Sequence, residues 1–316
     1  MNIRELDLNL LLVFDAIYIE RSISKAAAKL GMSQPAVSNA LRRLRHFTGD
    51  TLFYKAGTGV APTRTAMTLA VPIGHALDTV ERGLSSVRSF DPATSTRTFR
   101  IGVNDVVHNT LVPALVGLTR REAPHIMLEF VLQDSDRAAD SLKGGELDIA
   151  LLPGFVIGND LASQKVWEER FAIIMSRSHP FANRDRLTKD DLRELNFVAT
   201  THVKRLRGFL DEVFRQNGVE RTVACAVADT QNLYPLVAVS DLVALVGVYF
   251  AEQYNTDGSL VMFDTPFPVP NIDAHIAWTS EADADEGHKW IRDHVIDILI
   301  TGSRMRDRAR PADLLG

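Results

Sequence analysis

Cysteine is almost absent from this chain of 316 residues: Cys225 stands alone, which excludes an intrachain disulfide and fits a reducing compartment. Its plain reading is a small apolar side chain on a strand. Apolar runs of membrane-spanning length are missing too, so no membrane partner is expected. The opening "MNIRELDLNLLLVF" lacks the basic start and cleavage site of an export signal, and a cytoplasmic location is expected. Gly-x-Ser-x-Gly, a dinucleotide loop, a P-loop and His-Glu-x-x-His are all absent, and Gly57-x-Gly59 lacks the third glycine of a nucleotide loop. No His-x3-His or carboxylate-histidine cluster has metal-ligand spacing. The expectation is therefore a non-enzyme with no cofactor and no metal.

What is present is a 46% hydrophobic composition and a mean hydropathy near zero, enough for two or three domains with separate cores. Charge divides along the chain. Residues 1–65 hold nine Lys/Arg against five Asp/Glu, so this segment is +4 and the remainder of the −5 chain is −9. A basic head on an acidic body points to a polyanion partner for the head.

"LDLNLLLVFDAIYIE" has the spacing of a helix with one buried face. Ser24 is read as the cap of a short helix, "KAAAKLG", that Gly31 stops, and Ser33 as the cap of the next, "QPAVSNALRRLR", with Pro35 in its first turn. Two helices joined by so short a turn make a helix-turn-helix, with Ala27 at the crossing and Val37, Leu41 and Leu44 buried beside Phe14. The second helix would then meet DNA. Gln34, Pro35, Ser38 and Asn39 face base edges, while Ser33, Arg42, Arg43 and Arg45 suit phosphates. "DTLFYKAGTGVAPT" reads as a hairpin of wing size, with Lys55 near its tip.

These residues carry a resemblance. The run from Phe14 to Ala66 resembles the winged helix-turn-helix of LysR-type transcriptional regulators, with their Ser-Gln-Pro/Ser-Ala-Val-Ser start and Leu-Phe-x-Arg wing. Lys55 stands where that arginine usually is, and "APTRTA" replaces Leu-Thr-Pro-Ala-Gly, as in the branch of nodulation and aromatic-degradation regulators. Near the C-terminus "AWTSEADADEGHKWIRDHV" is similar to a segment of regulators that sense flavonoids, salicylate and chlorinated aromatics, with Glu286 for a proline and Trp290 packed inward. "VAVSDLVALVG" likewise departs from the commoner Val-Ala-x-Gly-x-Gly-Ile-Ala as this branch does.

From Thr63 to Val87 the apolar residues Leu69, Ile73, Ala76, Val80, Leu84 and Val87 form a seam of about 35–40 Å at 1.5 Å per residue, suited to a partner helix. Pro72 should kink or restart it. Beyond "SFDPATSTR", strand-like and helical segments alternate. "FRIGV", "IMLEFVL" and "DIALLPG" make two βαβ units, "FAIIMS", "NFVAT", "VACAVA" and "VALVGV" a second sheet, and "DAHIAWT" a strand crossing back.

The expected fold is α/β multidomain. It comprises a winged helix-turn-helix over 1–62, a linker and dimerisation helix over 63–90, and a two-lobed α/β effector domain over 91–302. By resemblance this last is like type 2 periplasmic binding proteins, with lobe I at 91–163 and 268–302 and lobe II at 164–267. A disordered tail is expected over 303–316. Ligands bind beyond the carboxyl ends of strands in open α/β sheets, which selects Asn104, Asp105, His108, Pro153, Gly154, Thr201, His202, Asp229 and Thr230 as effector-binding candidates. Taken singly, Asn104, Asp105 and Asp229 also read as helix caps and His202 as a surface residue.

The resemblance implies a sequence-specific regulator that binds double-stranded promoter DNA and RNA polymerase as a homodimer or homotetramer. Its small-molecule effector, aromatic or phenolic by the same resemblance, sits between the lobes. Two alternatives stay open: a DNA-binding regulator without an aromatic effector, and a small-molecule-binding protein whose head only oligomerises.

Overall fold

The computed structural model describes residues 3–85, 89–133, 135–201 and 204–309. It divides into two compact units, Met1–Arg88 and Ser89–Gly316. In the first, α1 (Asn9–Glu20), α2 (Ile23–Leu30) and α3 (Gln34–Thr48) precede the hairpin β1 (Phe53–Ala56) and β2 (Gly59–Pro62), then α4 (Arg64–Ser85). Phe14, Ile17, Ala26, Ala27, Val37, Leu41, Leu44 and Phe53 form its core. The expected turn chemistry is present: Gly31 ends α2 at φ 64°, and Ser33 Oγ accepts from the Ala36 N–H at 3.3 Å.

Three expectations for this unit are corrected. The α2 cap is Ser22, not Ser24: its Oγ accepts from the Lys25 N–H, which places Ile23 inside the helix where it packs on the core. Pro72 does not restart α4, which runs through it. Pro72 is exposed, where the Thr68 carbonyl it leaves unpaired can be hydrated. Leu69 and Ile73 face the head's own core rather than a partner, so the seam is left to Ala76, Val80 and Leu84, the last two 60% and 67% exposed. Val87 lies outside the described residues.

The second unit opens with β3 (Thr98–Val103), α5 (Asp105–Glu122), β4 (Met127–Leu132), α6 (Ser135–Lys143), β5 (Ile149–Pro153) and β6 (Leu161–Glu169). The chain then crosses into β7 (Phe171–Ser176), α7 (Lys189–Glu194), β8 (Asn196–Thr200), α8 (Lys204–Gln216), β9 (Thr222–Val227), α9 (Leu233–Ala238), β10 (Ala244–Gly247), α10 (Val248–Tyr254) and β11 (Leu260–Phe263). It returns through β12 (Ile272–Thr279) to α11 (Glu286–Ala309).

Lobe I is the five-stranded sheet β4-β3-β5-β12-β6 with α5 and α11 packed on its apolar face. β3 runs parallel to β4 and β5, as βαβ connections require, and β12 runs antiparallel to both β5 and β6. Lobe II joins β10-β7-β11 to the parallel pair β8-β9 through backbone bonds between Val198 and Val243 (2.8 Å) and between Val243 and Asn196 (2.9 Å).

The first crossing falls at Arg170, not at 163/164, because β6 stays paired with β12 as far as Glu169. The expected disordered tail is also shortened, since α11 continues to Ala309; residues 310–316 lie outside the described set. As expected, the last helix begins at Glu286 and packs Trp290 against Phe90, with ring centroids 5.8 Å apart. Its most deeply buried polar side chain among the described residues is His288, at 2% exposure, whose Nε2 bonds the Asp148 carbonyl at 2.9 Å and ties α11 to the foot of β5.

Candidate nucleic-acid interface and effector cleft

On α3 the burial of Val37, Leu41 and Leu44 turns the opposite face outward. Ser33, Gln34, Pro35, Ser38, Asn39, Arg42 and Arg43 are all exposed there, and Lys55 is exposed on the hairpin. Exposure leaves them open to a duplex, but some of the side chains already have internal partners. Arg42 Nη2 donates to Asn39 Oδ1 at 2.8 Å, and Arg43 pairs with Asp7 at 3.0 Å. The Asn9 backbone N–H and the Arg43 charge hold the Asp7 carboxyl below the ordinary carboxylate range.

Arg45 does something else. Its Nε and Nη2 donate to the carbonyls of Thr51 and Phe53, each at 2.6 Å. The residue between them, Leu52, is fully buried at φ 56°, a left-handed conformation that costs a side-chain-bearing residue about 1–3 kcal/mol. Arg45, read from sequence as a phosphate ligand, thus fixes the joint between α3 and the hairpin. Asp50 completes that joint by accepting from the Leu52 N–H (2.6 Å) and Thr63 Oγ1 (2.8 Å).

In the second unit a cavity of about 170 Å³ lies between the lobes. Lobe I contributes Asn104, Gln133, Leu152 and Pro153, the crossing strand Trp167 and Glu169, and lobe II Thr200, Leu206, Leu210, Thr230, Leu233 and Gly247. Phe155, Phe171 and Ile272 extend the apolar wall, and Arg205, Arg207 and Arg221 add positive charge. Arg221 is held by Asp211 (Nε at 3.0 Å) and lies over the Phe214 ring at 5.0 Å, while Arg207 stands 3.6 Å from the same carboxylate.

Of the sequence-selected residues, Asn104, Pro153 and Thr230 meet at this cavity. Asn104 also caps α5, its Oδ1 accepting from the Val107 N–H at 3.2 Å. His108, Gly154, Thr201 and Asp229 are not among its lining residues. Gly154 opens a short turn against the His275 ring, His108 lies edge-on to Phe130 on α5, and Thr201 bonds the Val227 carbonyl. Asp229 is spent on Asn232, whose backbone N–H and side-chain amide both donate to it at 2.9 Å. The backbone of Asp105 starts α5, its side chain is outside the described set, and His202 lies outside the described residues.

Sequence reading missed Glu169 and the three arginines. The signal for Glu169 was a carboxylate immediately before the wholly apolar strand "FAIIMS". Its Oε1 accepts from the Tyr249 N–H at 3.0 Å and its Oε2 from Trp167 Nε1 at 3.2 Å, yet burial pushes the carboxyl up to about 7. Among the described residues no group of His, Cys, Asp and Glu could hold a metal ion, and no helix is long and apolar enough to cross a membrane.

A winged helix-turn-helix unit followed by a two-lobed α/β unit with a ligand-sized cavity defines a DNA-binding protein that answers to a small molecule. The comparisons give the family. Residues 8–67 match the bacterial regulatory helix-turn-helix proteins of the lysR family and residues 92–299 the LysR substrate binding domain. The chain belongs to the LysR family: it is a LysR-type transcriptional regulator with an effector-binding domain. It is 30% identical to the HTH-type transcriptional activator NagR of a Ralstonia species, over 95% of this chain and 99% of that one. It is 29% identical to the activator NahR of Pseudomonas putida, again over 95% and 99%, and 28% identical to nodulation protein D 1 of a Bradyrhizobium strain, over 98% of each. Among solved structures, the probable transcriptional regulator PA0477 from Pseudomonas aeruginosa superposes with a TM-score of 0.73 at 27% identity, covering 93% and 97% of the two chains. Full-length CbnR complexed with its target DNA shares the fold, with a TM-score of 0.64 at 14% identity over 94% and 100%.

Proposed function

We propose that this regulator acts in the cytoplasm, not as an enzyme, and is switched by an aromatic acid carrying a single ring, bound between the two lobes. The observation that carries this reading is the size and lining of the cavity. A cavity of about 150 Å³ accepts benzene, so 170 Å³ holds one ring with one or two small substituents, and a three-ring flavonoid would require the lobes to open. Apolar walls suit the ring, and three arginines suit a carboxylate at its edge. Asn104, Pro153 and Thr230, with Asp105, His108, Gly154, Thr201, His202 and Asp229 around them, remain the proposed effector contacts from sequence.

In the same proposal Gln34, Pro35, Ser38 and Asn39 read bases in the major groove, while Ser33, Arg42, Arg43 and Lys55 hold the backbone. Two chains pair along Val80 and Leu84 of α4, and two such pairs form a tetramer on promoter DNA, where RNA polymerase is the further partner. The effector shifts the equilibrium only if it binds one lobe arrangement better than another.

A thermal-shift panel on the full chain tests the effector class with salicylate, benzoate, chlorophenols and a flavonoid. A ligand at a hundred times its dissociation constant adds about 2.7 kcal/mol of stability. A rise with the single-ring acids and none with the flavonoid is expected. A response to the flavonoid alone refutes the reading.

A further inference from the structure

Among the described residues lining the cavity one carboxyl is found, and it stands where an anionic ligand would meet it. Glu169 closes the crossing strand, and its side chain turns into the space between lobes instead of out to solvent like its neighbour Glu168, which pairs with Lys165. The position is built. A methyl group on Gly247 would lie 2.6 Å from the Glu169 Cδ, so the chain leaves room there for a carboxyl and nothing more. Trp167 and Tyr249 stack at 4.7 Å, and both donate to it, Trp167 from the indole and Tyr249 from the backbone. Those donors fix the carboxyl in place, but they do not neutralise it.

The charged group that acts on Glu169 is Glu252 on α10, whose negative field adds to the effect of burial; Arg205, Arg207 and Arg221 line the same cavity, where Asp211 holds Arg221 and stands 3.6 Å from Arg207. Glu169 is the cavity group that titrates near neutrality, and a second negative charge in the same small, largely apolar space makes its ionised form still less favourable.

We infer that Glu169 is a specificity-determining residue of the cleft that admits an anionic effector only together with a proton. The inference rests on the aromatic-acid reading above. The balance is simple: a carboxylate ligand enters, one proton passes from the buffer to Glu169, and the neutral acid is left hydrogen-bonded where two negative charges would otherwise stand. A neutral phenol entering the same space takes up no proton, so the site discriminates between the two by pH.

Isothermal titration of the full-length protein with benzoate and with phenol tests this between pH 6 and 8.5, in paired buffers of different ionisation enthalpy. Benzoate binding is expected to take up close to one proton above pH 7 and to weaken toward about tenfold per pH unit there, while phenol stays flat. Glu169→Gln should abolish both the uptake and the slope, and Glu252→Gln should keep them. The proton count on the wild type needs no variant to fold. Benzoate binding with no proton uptake, or with an unchanged slope in Glu169→Gln, overturns the inference and leaves the aromatic-acid reading standing. No binding of either probe at any pH overturns both.

Discussion

Replacing Arg45 separates two roles that look identical in the sequence. As one of three arginines on α3 it reads as a phosphate ligand, yet its guanidinium holds the Thr51 and Phe53 carbonyls on either side of Leu52. Hydrogen bonds to a charged group contribute about 1.5–3 kcal/mol each. Arg45→Ala removes two of them and releases a left-handed Leu52 whose conformation itself costs about 1–3 kcal/mol. Because relaxation of that strain offsets part of the loss, the net destabilisation of the head should be about 2–4 kcal/mol. For a unit of this size that lowers its melting by roughly 10–20 °C.

Calorimetry of the full chain, with hydrogen exchange followed at the Leu52, Val60 and Thr63 amides, measures the effect. Exchange should accelerate at all three while the effector domain is unchanged. Arg42→Ala is the counterpart: its exposed side chain bonds the equally exposed Asn39, so stability should hold while the slope of log affinity against log salt for DNA falls by about one. If Arg45→Ala leaves hairpin exchange and melting unchanged and instead lowers that salt slope, the structural reading of Arg45 is refuted.

Gly59→Ala should be as harmful to the hairpin by a different route. Its Cβ would lie 2.4 Å from the Arg21 carbonyl oxygen, a backbone atom that also accepts from the Val60 N–H, so the tip must lift. Faster exchange of the Val60 amide and weaker DNA binding with an intact effector response are expected. Glu169→Gln should change stability with a definite sign. Because the folded-state value is raised from 4.5 to about 7, Glu169 favours folding below pH 4.5, and that contribution is lost as pH rises through 7. Allowing for the carboxyl's partial exposure, the variant's melting should gain on the wild type by about 2 kcal/mol between pH 5 and 8. A gap that stays constant over that range contradicts the assigned environment.

The parts of the fold legible in the sequence are those set by local chemistry. Ser33, Pro35 and Gly31 mark helix ends whatever surrounds them, and the spacing of Val37, Leu41 and Leu44 fixes the inward face of α3. β5 and β7 were legible as apolar runs because lobe sheets bury them from both sides. β6 was not, because "LASQKVWEE" forms the edge of its sheet and keeps three consecutive exposed residues, Ser163, Gln164 and Lys165. That single missed strand displaced the lobe boundary and hid Glu169 at its end. The strand-end rule reached Asn104, Pro153 and Thr230, since it concerns where chains leave a sheet. It had no means of finding Arg205 and Arg207, which ride on α8, or Arg221, which Asp211 of α8 holds. Arg45 shows the converse: helical spacing gave its face, but its acceptors lie six and eight residues away across a turn.

One hydrogen bond offers a way to weigh lobe closure against ligand binding. Asn109 on α5, in lobe I, donates through Nδ2 to the Tyr254 hydroxyl on α10, in lobe II, at 2.5 Å. α10 is also the helix whose first backbone N–H groups hold Glu169, so the contact and the cavity share a rigid element. An exposed bond of this kind has a net worth of about 0.5–1.5 kcal/mol, and Tyr254→Phe removes the hydroxyl while keeping the ring. If ligand binds the arrangement in which this bond is made, the variant should bind benzoate about 2–12 times more weakly, with the proton uptake unchanged. Linkage makes the test stricter. A ligand that favours this arrangement must also slow exchange at the lobe-facing turns of α5 and α10, and by a smaller factor in the variant. Weaker binding without that change would place the hydroxyl in direct contact with ligand. Unaltered binding would mean that the bond forms equally in every arrangement the lobes adopt, and closure would then have to be driven by the cavity walls alone.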